Sequence, residues 1–501
     1  MCSSDLDSAA VLQTSTSDPS AVVPPGAPLP AGDVTATAAP VPRPQSPLGT
    51  SPPPRLQSLS HSLRPRHLAM IAIGGVIGAG LFVGSSVGIA TVGPAVIVTY
   101  LLTGFLVLLI MRMLGEMAVA MPHIRSFTEF TRVALGNCAG FSVGWLYWYF
   151  WVIVIPVEAI AGAEIIRAWL PLPAWQIGAG LMVLMTSVNL LSARAYGEFE
   201  FWFASIKVAA IVVFIAVLAI HALGQLLAGV SVFANLVDYG GFAPRGLLAV
   251  PAAVTTVIFS MNGAEIVTVA AAESEQPARA VANMTSTIIN RVLLFYVGSI
   301  FMILVTLPWS SVVPGRSPFT LALDTIHIPF ASTIMGTIIL TAVLSCLNSA
   351  FYVASRVLFV LAEHGDAPHW LVRTNRRRVP HRAVLLASLV GFAGVFTAIV
   401  SPNRVFAFLV NASGAVIAVV YLAIAVSQVR WRRKHEQAGD FAPSLPMWGF
   451  PWLSYAAIGG MTLVLIMMAV TPALAAEFWA SAGSISVVLV AYFVRRSRQT
   501  R

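Results

Sequence analysis

Charged residues are scarce in this chain of 501 residues: they make up 10% of it, while hydrophobic residues make up 57%. Soluble globular proteins usually carry about 25% charged residues, so the composition excludes an ordinary soluble protein. The mean hydropathy of +0.84 agrees with that exclusion. We therefore expect a polytopic membrane protein.

Cysteine and lysine are also rare. The three cysteines, Cys2, Cys138 and Cys346, are scattered, and their spacing fits neither a metal site nor a disulfide framework. The chain has no HExxH or phosphate-binding loop sequence, which argues against an enzyme of the zinc-protease type and against direct use of ATP. An ion gradient is the energy source that remains, and no cofactor is expected.

Apolar runs of roughly 20 residues, the length needed to cross a hydrocarbon core, begin near residue 68. They predict an all-α protein with 12 transmembrane helices near 68–92, 95–119, 141–168, 175–193, 200–222, 248–272, 289–309, 331–361, 382–401, 404–428, 449–471 and 475–494. Residues 1–64 are rich in Pro, Ser, Ala and Thr and predict a disordered tail. The predicted organisation is this tail, a transport core of ten helices at 65–430, and helices 11 and 12 with a short C-terminus at 431–501.

The basic residues predict the orientation in the membrane. Most of the 29 lysines and arginines fall in segments that share one side with the N-terminal tail, among them Arg376, Arg377 and Arg378. The positive-inside rule then places both termini in the cytoplasm. The formal net charge of +9 is explained by these basic residues, which set the orientation of the chain in the lipid bilayer. No nucleic-acid partner is expected.

The stretch Ile71–Gly84 has five glycines in fourteen residues. Glycine costs a helix interior roughly 1 kcal/mol relative to alanine, so we predict a break in the first span at Gly78, Ala79 and Gly80. Free N–H groups at such a break favour an anion. The same small-xxx-small spacing also fits close packing of helices.

A second interruption, Phe259–Glu265, lies in the sixth predicted span and reads FSMNGAE. Interrupted helices in corresponding positions of two halves point to the binding site of a transporter. The separation of five spans makes the two halves inverted in topology. This partner break favours ligand binding over packing for the first stretch.

Ionisable residues within predicted spans are functional candidates by default. Lys207, in the fifth span, could exchange a proton if buried; the alternative is a side chain that reaches the surface with help from Glu200. Glu158, in the third span, could accept a substrate ammonium or pair with Lys207, or be a neutral packing carboxyl. Glu116 is predicted to pair with Arg112, four residues earlier on the same helix.

The eighth span carries a polar face of four residues spaced at i, i+3, i+4 and i+7. They are Ser345, Asn348, Ser349 and Tyr352. This face would either line the substrate path or form hydrogen bonds between helices.

The motifs GGVIGAGLFVGSS, MRMLGEMA, YGEFEFWFASIKVAAI and SCLNSAFYVASRVLFVLAEHGDAP resemble those of the amino acid–polyamine–organocation superfamily, in its amino acid transporter branch. The resemblance runs from about His67 to Lys434 and continues more weakly to the end. It implies a LeuT-like fold, with a 5+5 inverted repeat, discontinuous helices 1 and 6, and two additional helices. It also implies proton-coupled import of a zwitterionic amino acid, γ-aminobutyrate first, across a bacterial cell membrane.

The resemblance also implies roles for individual positions. Backbone N–H groups at the first break would hold the substrate carboxylate, backbone carbonyls near both breaks would hold its amino group, and the ring of Phe259 would cover it. Glu158 would contribute to amine recognition. The implied substrate-binding residues are Val76, Gly78, Ala79, Gly80, Glu158, Phe259 and Asn262.

The implied proton-coupling residues are Lys207 and Glu265. In the family, the fifth-span lysine occupies the sodium position of sodium-coupled relatives, which implies proton symport. Two further hypotheses stay open: an aromatic, proline or cationic amino-acid permease of the same branch, and a sensor that binds an amino acid without moving it.

Overall fold

The structure is a computed structural model that describes residues 77–121, 124, 126–191, 193–263, 265, 292–439 and 445–499, with the backbone alone at 193–199, 292–293 and 499. The predicted tail at 1–64 and the candidate residue Val76 lie outside the described residues.

The described secondary structure is helical. The helices are α1 Ala79–Phe82, α2 Ser85–Val92, α3 Val96–Ala120, α4 Phe127–Leu135, α5 Asn137–Ile166, α6 Ala174–Asn189, α7 Ala193–Leu227, α8 Ala234–Val237, α9 Ala249–Ala252, α10 Val254–Met261, α11 Ser299–Thr306, α12 Pro318–Thr325, α13 Ala331–Glu363, α14 His381–Thr397, α15 Pro402–Ala438, α16 Trp452–Val470 and α17 Ala475–Gln499. Tight 3-10 turns occupy Gly93–Ala95, Trp309–Ser311 and His369–Val372, and Val292–Gly298 is π-helical. Each predicted span coincides at least in part with a helix.

Within the described ranges, 7 helical stretches are long and apolar enough to cross a bilayer. They are Ala79–Ala120, Asn137–Ile166, Glu200–Leu227, Ala331–Glu363, Pro402–Ala438, Trp452–Val470 and Ala475–Arg498. Two shorter apolar helices are Leu294–Thr306 and His381–Thr397. The helical membrane fold is therefore present, and the number of 12 crossings stays a prediction.

Helices α5, α13 and α15 form the centre of the fold, since α5 packs against both others. Their most apolar segments are 67–78% buried, whereas that of α17 is 11% buried. Outer helices such as α7 expose apolar side chains, among them Val213 and Ile220. Because lipid is as apolar as these side chains, they cost nothing there, and the polar groups collect in the central helices.

A helix boundary is visible in the backbone at each predicted break, while the residues up to 76 and residues 266–291 lie outside the described residues. Gly78 is not helical, with φ −140° and ψ −147°, and helix α1 begins immediately after it. Ala79 and Gly80 belong to that short helix, so the remaining irregular turn lies at Val83 and Gly84, between α1 and α2. In the sixth span, helix α10 ends at Met261 and the next residue has an extended backbone.

Arg112 and Glu116 interact electrostatically, as their spacing predicts, but their hydrogen bonds go to other partners. The Arg112 guanidinium donates to the carbonyl oxygen of Pro446 at 3.0 and 2.7 Å. Glu116 instead accepts hydrogen bonds from α15, from Gln428 Nε2 at 2.6 Å and from Arg432 at 3.1 Å. Glu116 is buried between two spans, where side chains of the neighbouring helix α15 reach it.

Candidate functional site

The two breaks pack directly against each other. A Cβ atom placed on Gly80 would lie 2.7 Å from Ser260 Cα and 3.3 Å from Phe259 Cδ1. Carbon atoms do not approach backbone this closely, so only glycine fits where α1 meets α10. The glycines of the first break therefore allow close packing of the helices and also lie directly beside the second break.

A small cavity lies beside this contact. It is lined by Gly80, Phe150, Trp151, Val154, Glu158, Phe259, Asn262 and Cys346. Four of the residues that the sequence singled out therefore share one cavity. Aromatic and apolar side chains with a few polar groups are typical of small-molecule sites.

Helix α5 carries the Glu158 carboxylate to the first break. The N–H of Ala79 donates to Glu158 Oε1 at 3.1 Å and to Oε2 at 3.0 Å. The thiol of Cys346, on α13, also forms a hydrogen bond with this carboxylate. In this structure an N–H group of the first break is therefore occupied by a carboxyl group of the protein itself, and binding of a substrate carboxylate there stays a prediction.

Gly78 is required for that arrangement. A Cβ atom on Gly78 would lie 2.5 Å from Cys346 Cβ and 2.8 Å from Glu158 Oε1. A larger residue would push both side chains away from the N–H of Ala79. The first glycine of the break therefore makes room for a carboxylate.

Lys207 lies fully buried on α7, with its Nζ 3.6 Å from Glu200 Oε1, and Glu200 is equally buried. The alternative in which the lysine reaches the surface is therefore wrong. The ammonium also interacts electrostatically with Glu158 and Cys346. Lys207 therefore interacts electrostatically with two residues that line the cavity, while Glu200 is its nearest counter-ion.

The polar face of α13 forms hydrogen bonds between helices. The hydroxyls of Ser345 and Ser349 donate to Glu200 Oε2 at 2.6 and 3.3 Å. Asn348 Oδ1 accepts from Asn189 Nδ2, on α6, at 2.7 Å. The first two bonds hold the carboxylate that faces Lys207, a role that the sequence pattern did not assign to them.

Glu265 lies behind the second break and is fully buried. Tyr421 OH, on α15, lies 2.8 Å from its Oε2, and Tyr147 OH, on α5, donates to its Oε1 at 3.3 Å. The N–H of Gly263 also donates to Oε2 at 3.1 Å. Sequence reasoning missed both tyrosines; a phenol in the middle of an apolar span was the available signal.

Asn262 joins this network to the cavity. Its Oδ1 lies 2.9 Å from Tyr421 OH. Its Nδ2 is buried and has no hydrogen-bond partner among the residues that the structure describes. Since Asn262 lines the cavity and is only 4% exposed, this amide is a donor available to a ligand.

The site therefore offers hydrogen-bond donors and a carboxyl group to one small molecule. The N–H of Ala79 and the amide of Asn262 suit a carboxylate, and the carboxylate of Glu158 suits an ammonium. A zwitterion in the middle of a membrane needs partners for both its charges. Helix ends that meet at such a cavity in a helical membrane protein are typical of the binding site of a secondary transporter.

The chain belongs to the amino acid permease family, whose model matches residues 67–499. It is 43% identical to the gamma-aminobutyric acid permease of Bacillus subtilis, over 88% of this chain and 94% of the relative. It is 46% identical to the gamma-aminobutyric acid permease of Escherichia coli, over 83% and 90%. It is 39% identical to the aromatic amino acid transport protein AroP of Corynebacterium glutamicum, over 82% and 88%.

Among solved structures, the fold is similar to that of the manganese transporter of Eremococcus coleocola. A mutant of that protein superposes with a TM-score of 0.54 at 13% identity, covering 87% of this chain and 95% of the other. Its complex with an aromatic bis-isothiourea compound gives a TM-score of 0.52 at 14% identity, with the same coverage. At these identities the likeness concerns the fold alone.

Proposed function

We propose that this permease is a proton-coupled symporter that imports a zwitterionic amino acid, with γ-aminobutyrate as its first substrate. The observation that carries the proposal is the Glu158 carboxylate on the N–H of Ala79, inside the cavity where the two breaks meet. Relatives named as γ-aminobutyrate permeases match most of the chain and support the choice of substrate.

Substrate binding is an exchange of carboxylates. The carboxylate of the incoming zwitterion replaces Glu158 at the N–H groups of the break, at Gly78, Ala79 and Gly80. The released Glu158 then faces the substrate ammonium, with help from backbone carbonyls of Val76, Phe259 and Asn262. Every charge keeps a partner during this exchange, which keeps the desolvation cost low.

The ring of Phe259 covers the bound substrate. It lines the cavity and is almost fully buried, with its centroid 6.2 Å from that of Phe150. Movement of these two rings would open the cavity to one side of the membrane.

Lys207 carries the coupling proton, with Glu265 as the second coupling group. Lys207 and Glu200 are both buried, and an unpaired charge on either of them would be costly. When Lys207 gains or loses a proton, we therefore expect the relative stability of alternative packings of α7 against α13 to change. Its electrostatic interaction with Glu158 links this change to the exchange in the cavity.

The architecture that we propose has 12 transmembrane helices, with the first ten in a 5+5 inverted repeat of the LeuT type. Residues 1–64 are a cytoplasmic tail, and the C-terminus is also cytoplasmic. The membrane is the bacterial inner membrane, and the amino acid, protons and lipid are the partners.

The test is uptake by the full chain in proteoliposomes with an imposed pH gradient, acidic outside. Labelled γ-aminobutyrate is expected to accumulate above its external concentration, and an uncoupler should abolish the accumulation. A panel of unlabelled amino acids identifies the substrate by competition. Equal uptake with and without the gradient would reject symport, and binding without flux would favour the sensor.

An aromatic amino acid is the second candidate substrate. The similarity to an aromatic amino acid transport protein and the rings of Phe150, Trp151 and Phe259 in the cavity favour it. Competition by phenylalanine or tryptophan that exceeds competition by unlabelled γ-aminobutyrate would establish this alternative.

A further inference from the structure

The hydroxyl of Tyr421 lies between two oxygen atoms of the second break. It is 2.8 Å from Glu265 Oε2 and 2.9 Å from Asn262 Oδ1. A phenol has a single hydrogen and can donate it to only one of them. At such distances the other contact also requires a hydrogen, which must come from the second group itself.

Two arrangements satisfy this requirement. If Glu265 is protonated, it donates to the oxygen of Tyr421, which donates to Asn262 Oδ1, and Asn262 Nδ2 faces the cavity. If Glu265 is ionised, Tyr421 donates to the carboxylate. The amide of Asn262 then turns over, so that its Nδ2 donates to Tyr421 and its Oδ1 faces the cavity.

We propose that Tyr421 is a positioning residue that transmits the protonation of Glu265 to the amide of Asn262. When Glu265 loses its proton, the group that Asn262 presents to the cavity changes from the Nδ2 donor to the Oδ1 acceptor. A protonated Glu265 presents the Asn262 N–H groups to the carboxylate of the substrate. An ionised Glu265 presents an oxygen, which repels that carboxylate. Because linkage is reciprocal, proton and substrate then bind together and leave together, as symport requires.

The unpartnered Nδ2 of Asn262 supports the first arrangement as the one in this structure. The described groups that face Glu265 include Tyr421 from α15, Tyr147 from α5 and, from its own segment, the backbone N–H groups of Gly263 and of Glu265 itself. Tyr147 contacts the carboxylate at 3.3 Å through the other oxygen, so only Tyr421 connects it to Asn262 in this way.

The test of the relay is infrared difference spectroscopy of the full chain in lipid vesicles without substrate, as the pH is changed. We expect a carboxylic acid band that Glu265→Gln removes. A shift of a side-chain amide band, which Asn262→Ala removes, should accompany it. The amide shift should persist in Tyr147→Phe, the matched control, and vanish in Tyr421→Phe.

An amide shift that survives in Tyr421→Phe would overturn the proposal. Glu265→Gln provides a second test if Tyr421→Phe does not fold: the amide band should then stop responding to pH, and a retained response would also overturn the relay.

Binding of γ-aminobutyrate provides the second arm, which rests on the proposed function. The wild type should bind about tenfold more tightly at acidic than at alkaline pH, the effect of one hydrogen bond to a charged group. Tyr421→Phe should lose this dependence, and Tyr147→Phe should keep it. An intact infrared relay in a protein that binds no γ-aminobutyrate would support the relay and reject the substrate, so the two failures are distinguishable.

Discussion

The two helix breaks differ in the groups that satisfy them. At the first, the N–H of Ala79 is met by Glu158, a carboxylate that comes from another helix and lines the cavity. At the second, Glu265 is held from behind by Tyr421 and Tyr147. Glu158 lines the cavity together with Asn262, whereas Glu265 is not among the lining residues. We therefore infer that the first break binds the substrate and that the second senses a proton.

The largest expected effect comes from Gly80→Leu, which places carbon atoms where α1 and α10 meet. The added Cβ alone would lie 2.7 Å from the backbone of Ser260, so the two breaks would be forced apart. We expect binding of γ-aminobutyrate to be lost while the protein still inserts into the membrane. Gly180→Leu is the matched control, since nothing lies within 4 Å of a Cβ there. Normal binding by Gly80→Leu would contradict the paired-break site.

The next effect concerns coupling. Lys207→Ala is expected to abolish gradient-driven accumulation but to retain exchange of labelled for unlabelled substrate, because the cavity itself is intact. The variant leaves Glu200 buried without its counter-ion, so Lys207→Ala combined with Glu200→Gln guards against a loss of folding. Lys434→Ala, at an exposed position and the only other lysine, is the control. Undiminished accumulation by the Lys207 variants would show that the proton is carried elsewhere.

A smaller effect is expected for Glu158→Gln, which keeps the shape of the side chain and removes its charge. The substrate ammonium then loses its anionic partner, which corresponds to roughly 1.5–3 kcal/mol, or about a 10- to 150-fold weaker affinity. Isothermal titration should show this for γ-aminobutyrate. Glu164→Gln, on the same helix and paired with Arg167, should leave the affinity unchanged. An unaltered affinity in Glu158→Gln would show that the substrate ammonium does not bind at Glu158.

A third polar cluster, formed by Asp366 with Arg132 and Arg495, lies outside the cavity lining and can be compared with the two breaks. The guanidinium groups of Arg132 and Arg495 both pair with the buried carboxylate of Asp366. Partial burial acts to lower the pKa of Arg132, but the carboxylates of Asp366 and Glu129 outweigh it and raise that pKa. This arginine therefore stays charged at every pH at which the protein is studied.

The smallest effect on transport is expected for Asp366→Asn, because the cluster connects α4, α17 and the end of α13 without touching the cavity. Arg495 would lose this partner and Arg132 would keep only Glu129, which should lower the thermal unfolding temperature while the affinity for γ-aminobutyrate stays within about twofold. A thermal-shift assay measures the first quantity, with Asp324→Asn, at an exposed position outside the cluster, as the control. A loss of affinity as large as that of Glu158→Gln would show that the Asp366 cluster contributes to substrate binding and not only to the stability of the fold.

Much of the fold follows from the sequence because its signals are local. Runs of apolar residues predicted helices at positions where the structure has them, and the glycines of the first break together with Asn262 and Gly263 predicted where helices stop. The family was also predicted from local motifs, and the comparison confirms it.

Partners across helices could not be predicted in the same way. Arg112 is close to Glu116 along its helix, yet Gln428 and Arg432 reach that carboxylate from more than 300 positions away. Similarly, Glu200 could be seen beside Lys207, whereas the serines that hold it are on α13. Side-chain packing between helices decides such contacts, and it has no periodic signature in one chain.

The exchange of carboxylates at the first break is tested most directly by a structure of the full chain in lipid with γ-aminobutyrate bound. The substrate carboxylate is expected within hydrogen-bond distance of the N–H of Ala79, and the Glu158 carboxylate beside the substrate ammonium. A bound substrate with Glu158 still on the N–H of Ala79 would contradict the account.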